Sequence, residues 1–155
     1  MFRRMAAPYR GCEGMAMTSP HTPVPAVLAV VWRAGRVLLA RRARPPQAHL
    51  WGFPGGKIGF GEALADAAVR ELFEETRISA DPLHTIDAVD VIDPHANTHH
   101  YVLVAVLMRW TRGEGAAASD VDEVGWFPVD GLPADRSPAV ARVAAAADRS
   151  IRSGA

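Results

Sequence analysis

Three glutamates lie close together near the middle of the chain. Glu71, Glu74 and Glu75 stand at positions i, i+3 and i+4, where like charges on a helix repel each other by a few tenths of a kcal/mol per pair. Arg70 can neutralise only one of them at a time. A divalent cation would make the cluster favourable, and oxygen ligands at this density suit Mg²⁺ or Mn²⁺ better than zinc. The alternative, a solvated acidic stripe, remains open on these three residues alone.

Residues upstream of the glutamates favour the metal hypothesis. Gly55 and Gly56 have no Cβ, so a backbone carbonyl there could approach a cation without obstruction. Glu62 and Arg70 are eight residues apart and could brace the entry to the helix. Together these residues favour the hypothesis of a metal site over that of a solvated acidic stripe.

The glutamates lie in the one strongly predicted helix, residues 63–76. At 100° per residue, the glutamates share one side of this helix and a set of apolar residues shares the other. That apolar set, which we expect to face the core, is Ala65, Ala68, Val69, Leu72 and Phe73.

The rest of the chain predicts strands around this helix and a second helix near the end. Residues 26–32 and 36–40 read as a hairpin, and 54–56 as a sharp turn. The apolar run 101–108 is typical of a strand that is covered on both faces. The further predicted elements are strands at 51–53, 83–92, 99–110 and 124–128 and an alanine-rich helix at 137–151. The order predicts an α/β (α+β) fold with a mixed β-sheet and helices packed against it.

Bulk composition limits the classes of function. The 155 residues fit one domain, which we place at 21–155 after a flexible N-terminal tail at 1–20. Seventeen basic side chains balance seventeen acidic ones, so stable nucleic-acid binding is not expected. A single cysteine excludes an internal disulfide. No apolar run approaches the ~18 residues of a membrane span, and no secretory signal is visible, so we expect a cytoplasmic protein.

The glycine, arginine and glutamates form one longer pattern. Gly56-x5-Glu62-x7-Arg70-Glu71-Leu72-Phe73-Glu74-Glu75-x-x-Ile78 resembles the signature of the Nudix hydrolase family. Arg77 stands where that signature usually has glycine, at a position that we expect to end the helix in the left-handed conformation. The resemblance implies an α/β/α sandwich and a metal-dependent hydrolase.

The resemblance also implies roles for individual residues. Glu71 and Glu75 are the first candidates for metal ligands, with Glu74 as a third and the Gly55 carbonyl as an added oxygen. Arg70 would orient the glutamates, and Glu62 would hold Arg70. Catalytic residues are therefore expected among Glu62, Arg70, Glu74 and Glu75, with Mg²⁺ as the cofactor and Mn²⁺ as the alternative.

The general base and the substrate contacts are less constrained. The base could come from the signature or from Asp120 or Glu123, which follow a Gly/Ala-rich segment, 113–118, expected to be mobile. Arg41 and Arg42 could clamp a substrate phosphate or simply face solvent. Asp120, Glu123, Arg41 and Arg42 are thus the candidate substrate-binding residues.

A hint about the substrate comes from Pro94, sixteen residues beyond Ile78. Some ADP-ribose-type members of the family carry a proline near this position, so the leading expectation is ADP-ribose or a nucleotide sugar. The alternatives are a nucleoside triphosphate pyrophosphohydrolase and a non-catalytic nucleotide-binding module. The expected partner is a small nucleotide-type molecule. Because family members are often dimers, a homodimer also stays open.

Overall fold

A computed structural model describes residues 22–45, 47–92 and 99–154. Pro94 and the whole of the predicted tail, residues 1–20, lie outside these ranges. In chain order the elements are β1 (Val24–Arg33), β2 (Arg36–Arg42), β3 (Trp51–Gly52), β4 (Gly55–Lys57), α1 (Leu64–Thr76), β5 (Ser79–Ile92), β6 (His100–Arg112), β7 (Val121–Pro128) and α2 (Ala139–Arg152). None of the helices described is long and apolar enough to cross a membrane.

The strands form one mixed sheet, as predicted. Its main order is β3-β2-β1-β6-β5, with β4 paired to β1 and β7 paired to β2. β1 and β6 run parallel, whereas the other pairs are antiparallel. Since side chains alternate along a strand, each face of the sheet supplies a core of its own.

The two helices cover opposite faces of this sheet. On one face, Val27, Val31 and Met108 pack with Leu72 of α1. On the other face, Val30, Leu39 and Leu107 pack with Val140 and Val143 of α2. The result is the expected α/β/α sandwich, in which α1 carries the glutamates along one face and α2 lies on the other.

The predicted hairpin exists but is short. Trp32 pairs with Val37 and Arg33 with Arg36, across a two-residue turn at Ala34 and Gly35. Beyond these pairs the strands separate, because β1 continues against β4 and β6 while β2 continues against β7. Local sequence signals the turn but not these long-range partners.

The prediction of a sharp turn at 54–56 is wrong. Gly55 and Gly56 are extended in β4 and pair with Leu28 and Val27 of β1. A Cβ on Gly55 would collide with the backbone carbonyl of Val27. Glycine is needed here for close approach between backbones and not for a positive φ angle.

The apolar side of α1 also differs from its prediction. Ala68 and Leu72 are buried, but Val69 is 39% exposed and Phe73 is 46% exposed. Ala67 and Thr76 are buried instead. The buried arc is rotated because α1 packs against β4 as well as against β1 and β5, a contact that the helical periodicity could not reveal.

The end of α1 confirms the expectation for Arg77. This residue is left-handed, with φ +59°, and its backbone N–H donates to the carbonyl of Phe73 at 3.0 Å. The Arg77 guanidinium lies 5.5 Å from the ring centre of Phe73. A non-glycine residue therefore closes the helix at a backbone cost of about 1 kcal/mol.

The apolar run of β6 is buried over only half its length. Ala105 to Met108 are buried on both faces, as expected, whereas Tyr101 to Val104 are half-buried. Tyr101 and Leu103 line a cavity, which explains why they are apolar without being fully covered.

Candidate active site

Arg70 is the centre of the charged cluster on α1. Its Nε and Nη2 donate to the two carboxylate oxygens of Glu62 at 2.7 and 2.9 Å. Its Nη1 donates to Glu71 at 2.7 Å, and Nη2 also reaches the carbonyl of Lys57 at 3.2 Å. A guanidinium shared in this way fixes Glu71 relative to the loop that precedes the helix. The predicted brace between Glu62 and Arg70 is therefore present.

Glu62 is a strongly ionised carboxylate. Its side chain accepts hydrogen bonds from Arg70 and from the backbone N–H of Gly59, the latter at 2.8 Å. These bonds, led by the one from Arg70, lower the pKa of Glu62 from 4.5 to about 2. The pairing in turn raises the pKa of Arg70 further above its ordinary value. Both groups stay charged at any physiological pH.

The two glycines of β4 make room for the glutamates of α1. A Cβ on Gly56 would lie 2.5 Å from the carboxylate of Glu71. The backbone N–H of Gly55 donates to Glu75 Oε2 at 3.1 Å. The glycine pair and the glutamates are thus in direct contact, although 15 or more residues separate them in sequence. That contact explains the spacing of glycine and glutamate in the signature.

Glu75 lies in an unbalanced electrostatic environment. Burial, with added repulsion from Glu71 and Asp120, raises the pKa of Glu75 from 4.5 to about 7, against the opposing effects of the Gly55 N–H and Arg42. Burial is the largest of these causes, so the ionised carboxylate lacks solvation and also meets negative neighbours. A cation placed among these carboxylates would offset both effects.

Whether the residues fit a divalent cation can be judged from their chemistry. Glu71, Glu74 and Glu75 offer hard oxygen donors beside backbone that no Cβ shields. In the part of the chain that the structure describes, no three acidic, histidine or cysteine side chains already converge on one point. The reason is that Glu71 and Glu74 lean towards Arg70 while Glu75 accepts from Gly55. The donor set fits a hard cation once these carboxylates turn towards it.

A cavity of about 660 Å³ opens beside the glutamates. Glu71, Glu74, Glu75, Gly55 and Gly56 line one part of it. The remaining walls come from β1, β2, β5, β6, the loops beside β3, the segment that leads into β7 and the start of α2. They include Leu28, Gln47, Phe53, Val89, Tyr101, Leu103, Ser137 and Val140. This volume is in the usual range for a small-molecule site, 300–1,000 Å³ as a rough guide.

The structure separates the four candidate substrate contacts into two pairs. Arg42 and Asp120 line the cavity, whereas Arg41 and Glu123 are not among its lining residues. Arg41 instead donates to the carbonyl of His49 at 3.0 Å and pairs with Asp135 and with Glu123, its cross-strand partner. Neighbouring residues on a strand face opposite ways, so only one of two consecutive arginines can enter the cavity. Arg41 and Glu123 thus lie outside the lining of this cavity, and their role in substrate binding stays a prediction.

Asp120 follows a segment that is anchored and not free, contrary to the expectation for residues 113–118. The N–H groups of Ala116 and Ala118 donate to the carbonyls of Thr76 and Glu75 at 2.8 and 3.0 Å. These carbonyls are at the end of α1, where helical partners run out. Because the segment satisfies them, it holds Asp120 beside the glutamates. Asp120 also pairs with Arg44 at 3.3 Å.

Sequence reasoning missed several residues of the cavity. Lys57 lines it directly after the glycine pair, and Gln47 and Ser137 line it from two loops. Lys57 could have been found from its position next to Gly56. Gln47 and Ser137 carry no local signal, because they meet only when β3 and the start of α2 are brought together.

Comparisons with known proteins agree with this geometry. The family model described as the NUDIX domain matches residues 22–147. A Danio rerio protein named oxidized purine nucleoside triphosphate hydrolase is 33% identical over 115 residues, which are 68% of this chain and 67% of that protein. The crystal structure of a MutT NUDIX hydrolase from Burkholderia pseudomallei is similar with a TM-score of 0.74 and 33% identity, covering 80% of this chain and 97% of that one.

A Bacillus subtilis protein, provisionally named as an ADP-ribose pyrophosphatase, is also similar. It is 29% identical over 117 residues. The match covers 72% of this chain but only 53% of the Bacillus protein, so the chain spans about half the length of that relative.

Proposed function

Because this chain belongs to the Nudix hydrolase family, we propose that it is a metal-dependent hydrolase that cleaves the diphosphate linkage of a nucleoside diphosphate derivative. The observation that carries the proposal is the contact between the Gly55–Gly56 strand and the carboxylates of Glu71 and Glu75, at the wall of a cavity. A purely structural helix would not gather carboxylates against the sheet and place apolar side chains outside.

Nudix hydrolases generally use divalent metal ions. In this chain Glu71 and Glu75 would hold the ion, with Glu74 and the Gly55 carbonyl as further oxygen donors. Oxygen-only donors favour Mg²⁺, with Mn²⁺ as the alternative. Such an ion neutralises charge on the phosphate oxygens and makes water more acidic.

Other side chains near the proposed metal site would position the ligands, accept a proton and contact the substrate. Arg70 holds Glu71 in place, and Glu62 holds Arg70. Asp120 lies close enough to influence the pKa of Glu75 and lines the same cavity, so its carboxylate is the candidate that accepts the proton of the attacking water. Arg42 lines the cavity as well and would contact a substrate phosphate.

For the substrate we favour ADP-ribose or a nucleotide sugar. The name of the Bacillus relative supports this choice. Of the described residues, Arg42 and Lys57 are the two basic side chains that line the cavity, which suits a diphosphate better than a triphosphate. The name of the Danio relative keeps a nucleoside triphosphate pyrophosphohydrolase as the second candidate. A non-catalytic nucleotide-binding module is the third.

The test is hydrolysis of a mixed panel with Mg²⁺ and with Mn²⁺. The panel contains ADP-ribose, a nucleotide sugar, a dinucleoside polyphosphate and the nucleoside triphosphates, and it compares wild type with Glu75→Gln. Asp148→Asn is the matched control, since this acid pairs with Arg152 on α2, the opposite helix. We expect cleavage by wild type and by the control, and a loss of several orders of magnitude in Glu75→Gln.

Two results would change the proposal. Cleavage of triphosphates but not of ADP-ribose would replace the leading substrate by the second candidate. No cleavage with either metal, together with a rise in melting temperature on addition of one compound, would support the binding module instead.

A further inference from the structure

Gln47 and Ser137 form a polar pair in the wall of the cavity, away from the acidic helix in sequence. The hydroxyl of Ser137 donates to Oε1 of Gln47 at 2.6 Å, although 90 residues separate the two. Both side chains line the cavity, together with the apolar residues Leu28, Phe53 and Val140. A polar pair among apolar walls is the arrangement that usually orients a ligand.

The backbone of Gln47 is fixed by a hydrogen bond within its own loop. Gln47 itself is left-handed, with φ +62°, and its carbonyl accepts from the N–H of Leu50 at 3.2 Å. Ser137 is fixed separately, because its N–H donates to the carbonyl of Trp51 at 2.8 Å. A left-handed conformation costs a non-glycine residue about 1 kcal/mol and persists where the surroundings impose it. The amide of Gln47 is therefore presented in a defined place.

The hydrogen bond with Ser137 also determines what the amide can still do. Since Oε1 already accepts a hydrogen bond, the Nε2 group keeps two N–H donors, for which the described residues supply no acceptor. The Gln47 side chain is exposed, so Nε2 is accessible. A ligand in this cavity could provide an acceptor in place of water.

The nature of that acceptor follows from the charges nearby. The cavity wall formed by β5 and β6 contributes Asp90, which accepts from His100 at 3.0 Å, but no basic side chain. Apolar residues and a neutral amide suit a flat, uncharged group better than a phosphate. The carbonyl oxygens and ring nitrogens of a nucleobase are acceptors of this kind.

We propose that Gln47, held by Ser137, is the residue by which this protein distinguishes one nucleobase from another. The inference rests on the proposed function in so far as it assumes a nucleotide-type ligand. It goes beyond that function because it assigns base selectivity to a loop outside the Nudix signature. Removing the Gln47 amide, which would donate to an acceptor of the base, should lower the ratio of affinities between bases by roughly tenfold or more.

The test is calorimetric binding of AMP, GMP, CMP and UMP to the full chain, without substrate turnover. Wild type should prefer one base over the least favoured base by at least roughly tenfold in Kd. Gln47→Met, which keeps the length of the side chain but removes the amide, should abolish that preference. His49→Asn is the matched control on the same loop, since His49 is also left-handed, with φ +66°, but does not line the cavity.

The ratio between bases, and not the affinity for any one of them, decides the outcome. If Gln47→Met weakens the binding of all four nucleotides by the same factor, Gln47 only supports the loop and the proposal is wrong. An unchanged preference, or no binding of any of the four to wild type, also overturns it. Ser137→Ala, which frees the Gln47 amide without removing it, should reduce the preference by less than Gln47→Met does.

This experiment separates the two proposals. A preference that depends on Gln47, in a protein that hydrolyses nothing in the panel, would support base recognition while refuting the hydrolase. Hydrolysis by wild type at equal rates for substrates of every base would support the hydrolase and refute base recognition by Gln47.

Discussion

The two helices pack on opposite faces of one sheet, yet they use their side chains in opposite ways. On α2, Val140, Val143 and Ala147 are buried and Arg142 is exposed, as expected for an amphipathic helix. On α1, Glu71 and Glu75 face β4 and the cavity, while Val69 and Phe73 are among the exposed apolar residues.

The difference indicates that α1, unlike α2, carries residues that serve the candidate site at the expense of helix stability. The residues of α2 follow the pattern that stabilises a helix on a sheet, apart from Ile151, which is exposed in the last turn. On α1 the pattern is broken at the same residues that contact the glycine strand and the cavity. Departures from local consistency of this kind are expected at functional sites. Three experiments test this difference between α1 and α2.

The largest effect is expected from Gly56→Ala. The new Cβ would lie 2.5 Å from the carboxylate of Glu71, and the flexible side chain can move aside without unfolding the protein. If Glu71 binds the metal as proposed, displacement of its carboxylate by about 1 Å should lower kcat/KM by about a hundredfold. Gly154→Ala, two residues beyond α2, is the steric control, since no neighbouring atom lies within 4 Å of the Cβ added there. Its φ of +69° strains an alanine, so this variant should lose about 1 kcal/mol of stability but keep its activity. Activity close to wild type in Gly56→Ala would show that the glycine only serves packing.

The same substitution on the two helices should have unequal effects on stability. Val143→Ala on α2 removes two methyl groups from a fully buried site, which should cost about 2 kcal/mol in the free energy of unfolding. Val69→Ala on α1 removes them from a side chain that is 39% exposed, and should cost less than about 0.5 kcal/mol. Urea denaturation measures both. Equal losses would mean that Val69 is covered in solution, for example by a second copy of the chain.

A smaller effect is expected from pH on the metal-free protein. The pKa of Glu75 is about 7 in the folded state and 4.5 in the unfolded chain. Between these two pH values the folded protein binds more protons at Glu75 than the unfolded chain does. The free energy of unfolding therefore decreases as pH rises from about 4.5 to 7. We expect a decrease of a few degrees in Tm that is absent in Glu75→Gln. A Tm that rises through this pH range in wild type but not in the variant would contradict the assignment.

Much of this organisation could be predicted from local sequence. The helix of the glutamates was placed within one residue of its observed start, because its apolar and acidic residues recur at helical spacing. The left-handed residue at the end of α1 was also predicted, since Arg77 stands at a position with one recurring conformation. The contact between Glu62 and Arg70 followed from the same short pattern.

Other features could not be predicted because they depend on residues that are distant in sequence. Arg41 and Arg42 look equivalent in the chain, and only the pairing of β2 with β7 decides which one enters the cavity. The segment before Asp120 looks mobile by composition, yet the end of α1 offers carbonyls that hold it. Val69 and Phe73 are apolar by type but exposed because α1 is rotated towards β4.

The sequence by itself determined the family, the fold class and the identity of the charged cluster, because each depends on residue types at fixed local spacings. Tertiary contacts instead determine that Gly55 and Gly56 form a strand beside the glutamates, that Asp120 lines the same cavity as Glu75 and that Gln47 contacts Ser137. These are contacts between segments whose separation in sequence carries no signal. They form when the strands pair and the helices bury their faces, so packing and not local propensity selects them.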